Sequence, residues 1–279
     1  GYVTNGGGSY TGFVGDNPNT PVLETAAEAS CMVLGDDYSV FPEGAQAALD
    51  ATTAHEFVHA IQYGYGDPQP VEDDMWYESS AAAMEDEVFD DSNSNYIYLW
   101  PVVSNSLGGW PDDGAPFGLS VYSNFLFFRH VAEHNGGTNQ EGGGEEILQH
   151  FWENVAAGQP ELIAYNNALA VAGTNLPDAF HRYAIAARFS KPCSGGYVAP
   201  YCFEEGAAYV AAAGAPAPVQ GSIADNPGAY TGSIRSHYAA NWIDVPAGGS
   251  PYQVELANTA ADGALRGSIV CDTGAALTI

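Results

Sequence analysis

Basic side chains are nearly missing from this sequence. There are six of them, with Lys191 the only lysine, against 34 acidic ones, for a formal net charge of −28. A surface of that sign repels nucleic acid and anionic membranes and excludes both as partners. No apolar run is long enough to span a bilayer, so membrane insertion is excluded as well. The chain shows no initiator methionine and no signal peptide, and a start at Gly1 is what a processed or excised secreted protein would have. No CxxC pair of the structural zinc kind is present, and cysteine is scarce, with four in all. Cys193 and Cys202 bracket a loop short enough to be closed by a bridge. Cys31 and Cys271 would then pair by elimination, although four cysteines allow three connectivities.

What is present is 279 residues with 46% apolar content, enough to bury a core in one large domain or two. The acidity suits high salt, calcium binding or simple solubility, and composition does not separate these.

The chain turns on Thr52-Thr53-Ala54-His55-Glu56-Phe57-Val58-His59-Ala60-Ile61-Gln62, which reads as one helix with apolar Phe57, Val58 and Ile61 among polar positions. His55 and His59 stand at i and i+4, so both imidazoles leave the same face one turn apart. Zinc binds imidazole nitrogen at about 2.0–2.1 Å, and this spacing offers two of them. Glu56 lies beside the first ligand, where its carboxylate can reach a metal-bound water without binding the metal. A catalytic zinc normally takes a third protein ligand. Glu78 lies in the helix-forming stretch Trp76 to Asp86, beyond a turn at Gly66-Asp67-Pro68-Gln69-Pro70 that can bring it back to the histidines.

These elements resemble the gluzincin clan of zinc metallopeptidases, of which thermolysin is the familiar member. The nearer likeness is to secreted bacterial metalloproteases with the pattern HEFxHxxQ, then WxExxA, then MED. Here those are His55 to Gln62, Trp76-Tyr77-Glu78 with Ala81, and Met84-Glu85-Asp86, and the likeness covers residues 25–190. It implies His55, His59 and Glu78 as zinc ligands and Glu56 as general base. It also implies Tyr122, in a segment similar to the YxxxF of these proteases, as donor to the tetrahedral intermediate. A packed core tyrosine is the competing reading for Tyr122. One departure is Ala82, at the position where thermolysin-like enzymes place an aspartate that orients a histidine. Asp86 or Glu85 would have to substitute.

In chain order, a strand is expected near Tyr10–Val14 and another over Ser30–Leu34, ended by an Asp36-Asp37 turn or calcium site. Pro42 should open the active-site helix and Gly64 close it. Residues 101–118 read as a long surface loop bordering a cleft. Residues 118–134 read as a buried helix with His130 on its outer face, followed by a Gly-rich loop near 135–144. Helices are expected near 145–157, 160–172 and 176–189, forming the lobe across the cleft.

The fold class expected is α+β, with a zincin-type peptidase domain over 1–192. A β-rich, sandwich-like module over 193–279 follows, incomplete if the chain continues past Ile279. Its strands are placed at 238–245, 252–256 and 267–271, with a linker at 246–250, while 207–213 reads equally as helix or strand. The function expected is a secreted zinc endopeptidase acting on protein or peptide substrates, with calcium as a further cofactor. The alternative is an extracellular structural or assembly protein that keeps the peptidase scaffold and self-assembles. A metal-dependent carbohydrate-binding module is a weaker rival, having no need of Glu56 between two ligands.

Overall fold

A computed structural model describes residues 8–13, 29–65, 74–99, 121–122, 124–134, 144–214, 217–224, 228–234, 238–245, 254–257 and 264–279. The chain is a mixed, mostly helical α+β structure with small strands. Strands β1 (Gly8–Phe13) and β2 (Ala29–Leu34) pair antiparallel, with Gly8 opposite Leu34 and Phe13 opposite Ala29. They lie against the long helix α1 (Ala45–Gly64), which packs on α2 (Asp74–Val88). Small residues are buried on both helices, Ala48, Ala51 and Ala54 on α1 and Ser79 to Ala83 on α2, and the two are joined by His55 to Glu85 and by Gln62 to Ser80. The same packing brings Glu78 to the histidines.

A 3-10 helix (Ser94–Leu99) follows, then α3 (Phe125–His134), α4 (Glu145–Ala156), α5 (Glu161–Val171), α6 (Leu176–Phe189) and α7 (Gly206–Ala213). Asn175 caps α6 by accepting from the amide of Asp178, and Pro177 occupies its first turn, where a missing N–H costs nothing. The core is aromatic. Trp76, at the start of α2, is 1% exposed, with its ring centroid 5.1 Å from Phe151 and 5.5 Å from Tyr165. The Trp76-Tyr77 pair thus anchors α2 to α4 and α5, since Tyr77 meets Trp152 at 4.8 Å.

Several expectations need correction. Helix α1 begins at Ala45 rather than near Pro42, because Gly44 takes φ 102° there, outside helical space. Helix α3 begins at Phe125, and Tyr122 lies before it in a short 3-10 turn. His130 is fully buried and not on an outer face, its Nε2–H donating to the Pro200 carbonyl at 2.7 Å. As expected, the chain bends after β2, at Asp36, and the Asp37 carboxylate accepts from the Ser39 amide. Cys193 and Cys202 are bridged, but Cys271 is a free, exposed thiol, so the expected Cys31–Cys271 bond is not formed.

Among the described residues of 193–279, strands come only as pairs two residues long: β3 (Gly221–Ser222) with β4 (Ile243–Asp244), and β5 (Cys271–Asp272) with β6 (Leu277–Thr278). Residues 254–256 and 267–270 form no strand, and 207–213 is helical, within α7. Phe203, Tyr209 and Ala217 join the same apolar core as α2 to α6. The turn at 66–70, the loop at 101–118, the Gly-rich residues 135–143 and the linker at 246–250 lie outside the described residues.

Candidate metal centre

Helix α1 presents His55 and His59 at successive turns, their rings edge-on with centroids 4.7 Å apart. Helix α2 delivers Glu78 against them. Its Oε2 lies 3.0 Å from His55 Nε2 and 3.4 Å from His59 Nε2, and the two Nε2 atoms are 3.1 Å apart. Two imidazole nitrogens and one carboxylate oxygen therefore face one point. Among the described residues only one other group could converge on a metal in this way, His134 with Cys193 and Cys202, and there the cysteines are spent in the disulfide.

The far side of each ring is held. His55 Nδ1 donates to Glu85 Oε1 at 2.8 Å, which makes Glu85, not Asp86, the substitute for the acceptor missing at Ala82. Asp86 instead pairs with the buried Arg129 of α3, Nη2 to Oδ2 at 3.0 Å. His59 Nδ1 lies 2.7 Å from Gln62 Oε1. The direction of that bond follows from the rest of the Gln62 amide. Its Nε2 faces the Tyr77 carbonyl at 3.2 Å and Ser80 Oγ at 3.0 Å, and a carbonyl only accepts. Nε2 must therefore be the donor end, and Oε1 accepts from His59 Nδ1–H. Each ring is thus held through its Nδ1–H, so that a metal at the shared point would displace the proton there and meet an Nε2 lone pair from each histidine.

Glu56 is 8% exposed and its Oε2 has no hydrogen-bond partner. Burial pushes its carboxyl pKa up, opposed by the charge of His55 and His59. For Glu78 burial also pushes upward, but hydrogen bonds from His55 and His59 outweigh it and leave the carboxyl well below its usual range. Burial disfavours a charged His55, yet the hydrogen bonds to Glu78 and Glu85 prevail and hold the imidazole up at about 9.

Tyr122 reaches the same centre. Ser79 Oγ donates to the Val121 carbonyl at 2.6 Å and accepts from the Asn124 amide at 3.2 Å, which pins the turn carrying Tyr122 to α2. The Tyr122 ring lies 5.7 Å from that of His55 and stacks on Tyr98 at 4.5 Å. Burial raises its hydroxyl pKa, and the charge of Glu78 and a hydrogen bond to it add to this, so the phenol stays protonated as a donor. Five expected residues, His55, Glu56, His59, Glu78 and Tyr122, are thus brought together. Gln62 and Tyr98 had been given no role. Gln62, one turn beyond His59, was open to discovery from its i+3 spacing, whereas Tyr98 had no signal in the sequence.

No family model matches the chain, and no curated protein or solved structure does.

Proposed function

We propose that the chain is a secreted zinc-dependent endopeptidase of the gluzincin kind. The observation that carries this reading is the convergence of His55 Nε2, His59 Nε2 and Glu78 Oε2, with the unpartnered Glu56 carboxylate beside them in a cleft that also includes Tyr122. Two imidazoles and one carboxylate suit zinc, whereas calcium takes six to eight oxygens. When bound, zinc supplies a polarised water of lowered pKa and a Lewis acid for a carbonyl. With a metal held by His55, His59 and Glu78, Glu56 would hold and pass on the proton of the attacking water, and burial, which raises its carboxyl, suits both halves of that transfer. Tyr122 donates its O–H to the oxygen that becomes negative as the carbonyl turns tetrahedral. Glu85 and Gln62 keep the two ligand rings in the required tautomer.

On this reading residues 1–192 make up a zincin-type domain with α4 to α6 as its second lobe, and 193–279 the C-terminal module. The Cys193–Cys202 bridge supports an oxidising, extracellular setting. The test is metal analysis together with a caseinolytic or peptide assay on wild type and Glu56→Gln. One zinc per chain in both proteins is expected, with cleavage only in the wild type. Full cleavage by Glu56→Gln would remove the base assignment.

A further inference from the structure

We propose that the cleft beside this centre is a pocket for a cationic side chain, lysine or arginine, and that Glu43 selects it. The inference rests on the peptidase reading and names its substrate class. The cleft has a volume of about 210 Å³ and runs from His55 and Glu56 to the start of α1. That is room for much more than a water, whose share of liquid volume is about 30 Å³. Phe41, Ala51 and Ile97 give it an apolar wall, and Ile97 is 49% exposed at the rim. Three carboxylates line it, Glu43, Glu56 and Glu85, and none of the described lining residues is lysine or arginine.

The three acids are not equivalent. Glu85 is committed to His55, and Glu56 stands at the metal centre. Glu43 remains, on the wall just ahead of the first turn of α1. Its Oε1 accepts from Ser94 Oγ at 2.6 Å, which fixes the carboxylate between α1 and the 3-10 helix. A carboxylate offers about four lone-pair sites, and one hydroxyl uses one of them, so Glu43 keeps acceptor capacity for a guanidinium or ammonium. Long basic side chains lay an apolar stem along such a wall while the charged head finds a partner. Glu56 Oε2, buried and without a partner, lines the same cleft, so a ligand that reaches it lies in one pocket with Glu43. The field of the whole chain, −28 in formal charge, raises the encounter rate of cationic substrates and slows that of acidic ones.

The experiment scans a single arginine through an otherwise neutral peptide and compares each peptide with its glutamine and glutamate counterparts on the zinc-loaded protein. At one position kcat/KM should fall in the order Arg, Gln, Glu, with Arg about tenfold above Gln, the scale of a hydrogen bond to a charged group. Glu43→Gln keeps an acceptor for Ser94 Oγ but loses the charge, and the Arg/Gln ratio should drop to about one. Because it is a ratio, partial loss of folded protein cancels. In parallel, binding of the arginine peptide to the metal-free protein should weaken about tenfold in Glu43→Gln, read by calorimetry at low salt. An active enzyme with no arginine preference at any position overturns the proposal, as does an unchanged ratio and unchanged binding in Glu43→Gln. If no peptide is cleaved yet the arginine peptide binds through Glu43, the pocket stands and the endopeptidase reading falls.

Discussion

Replacing Gln62 by leucine removes the acceptor of His59 Nδ1–H at 2.7 Å while leaving every metal-ligand atom in place. The surroundings limit collateral damage. Gln62 is wholly buried, leucine fills similar space without a polar atom, and Ser80 Oγ still donates to the Tyr77 carbonyl at 3.2 Å. What is lost is the device that fixes the tautomer: His59 becomes free to place its proton on Nε2, pointing at Glu78. Outer-shell losses of this type weaken metal binding about 10–100-fold, or about 1.4–2.7 kcal/mol. Glu78→Ala deletes a ligand outright and should cost more, losing zinc at micromolar free metal. Competition with a chromogenic chelator reads the affinity, and the unfolding midpoint of the metal-free proteins reads the structural cost separately. Gln62→Glu supplies a second readout. It restores an acceptor for His59 but sets a carboxylate oxygen against the Tyr77 carbonyl, so zinc affinity should recover towards wild type while stability falls. Zinc binding by Gln62→Leu within threefold of wild type would refute the argument from the amide's orientation.

Tyr122→Phe should keep zinc and KM but lower kcat by about a hundredfold, the scale of one lost oxyanion donor, and a kcat within threefold of wild type would leave Tyr122 as packing against Tyr98. His130, fully buried, is held down at about 3 by burial and by the charge of His134, whereas in the unfolded chain it titrates near 6.5. The unfolded chain therefore takes up the proton first as pH falls. The contribution is fully present above about 6.5 and is lost progressively towards pH 3, by up to about 1.4 kcal/mol per pH unit. Denaturant midpoints at pH 7, 6 and 5 should fall less steeply in His130→Gln, whose amide can still donate to Pro200, and parallel slopes would remove His130 from the account.

How much of this was legible in advance follows from where the information lies. The i, i+4 pair and Glu56 are local: one helix places all three, and the helix was readable from its own periodicity. Glu78 depended on a second helix approaching closely, and the run Ser79 to Ala83 signalled that because small side chains permit it. The helices α4, α5 and α6 fell within a residue or so of expectation, since Gly158, Pro160, Gly173 and Pro177 punctuate them. His130 was misjudged because the polar face of its helix is covered by other parts of the chain. The polar stripe Arg129, His130, Glu133 and His134 reads as an outward face, yet all four are buried, and the carbonyl that receives His130 comes from Pro200, 70 residues away. The C-terminal strands were misjudged because alternation describes what a segment could do against a sheet. The sheet itself is long-range, and β3 and β4 pair for only two residues.

The second histidine pair of the chain shows how the candidate metal centre differs from a structural pair. His130 and His134 also stand at i and i+4 on a helix, with ring centroids 5.0 Å apart, and Glu133 lies beside them. Spacing alone would make them equivalent to His55 and His59. They differ in what the Nε2 atoms meet. His130 and His134 direct theirs at the carbonyls of Pro200 and Cys202, at 2.7 and 2.9 Å, and so fasten the bridged 193–202 loop onto α3. Their buried acid, Glu133, accepts from the Glu204 amide through Oε2, faces Arg129 at 3.8 Å, and is pushed up to about 8 by burial. Around His55 and His59 the order is reversed. The carbonyl-like acceptors, Glu85 and Gln62, take the Nδ1 protons, and the Nε2 atoms meet each other and Glu78. Among the described residues, Glu56, Glu78 and Glu85 stand in this cluster with histidines, not arginine, as their charged neighbours. On the proposed reading a divalent cation at the shared point would balance these acids, where Arg129 faces the acids near His130 and His134.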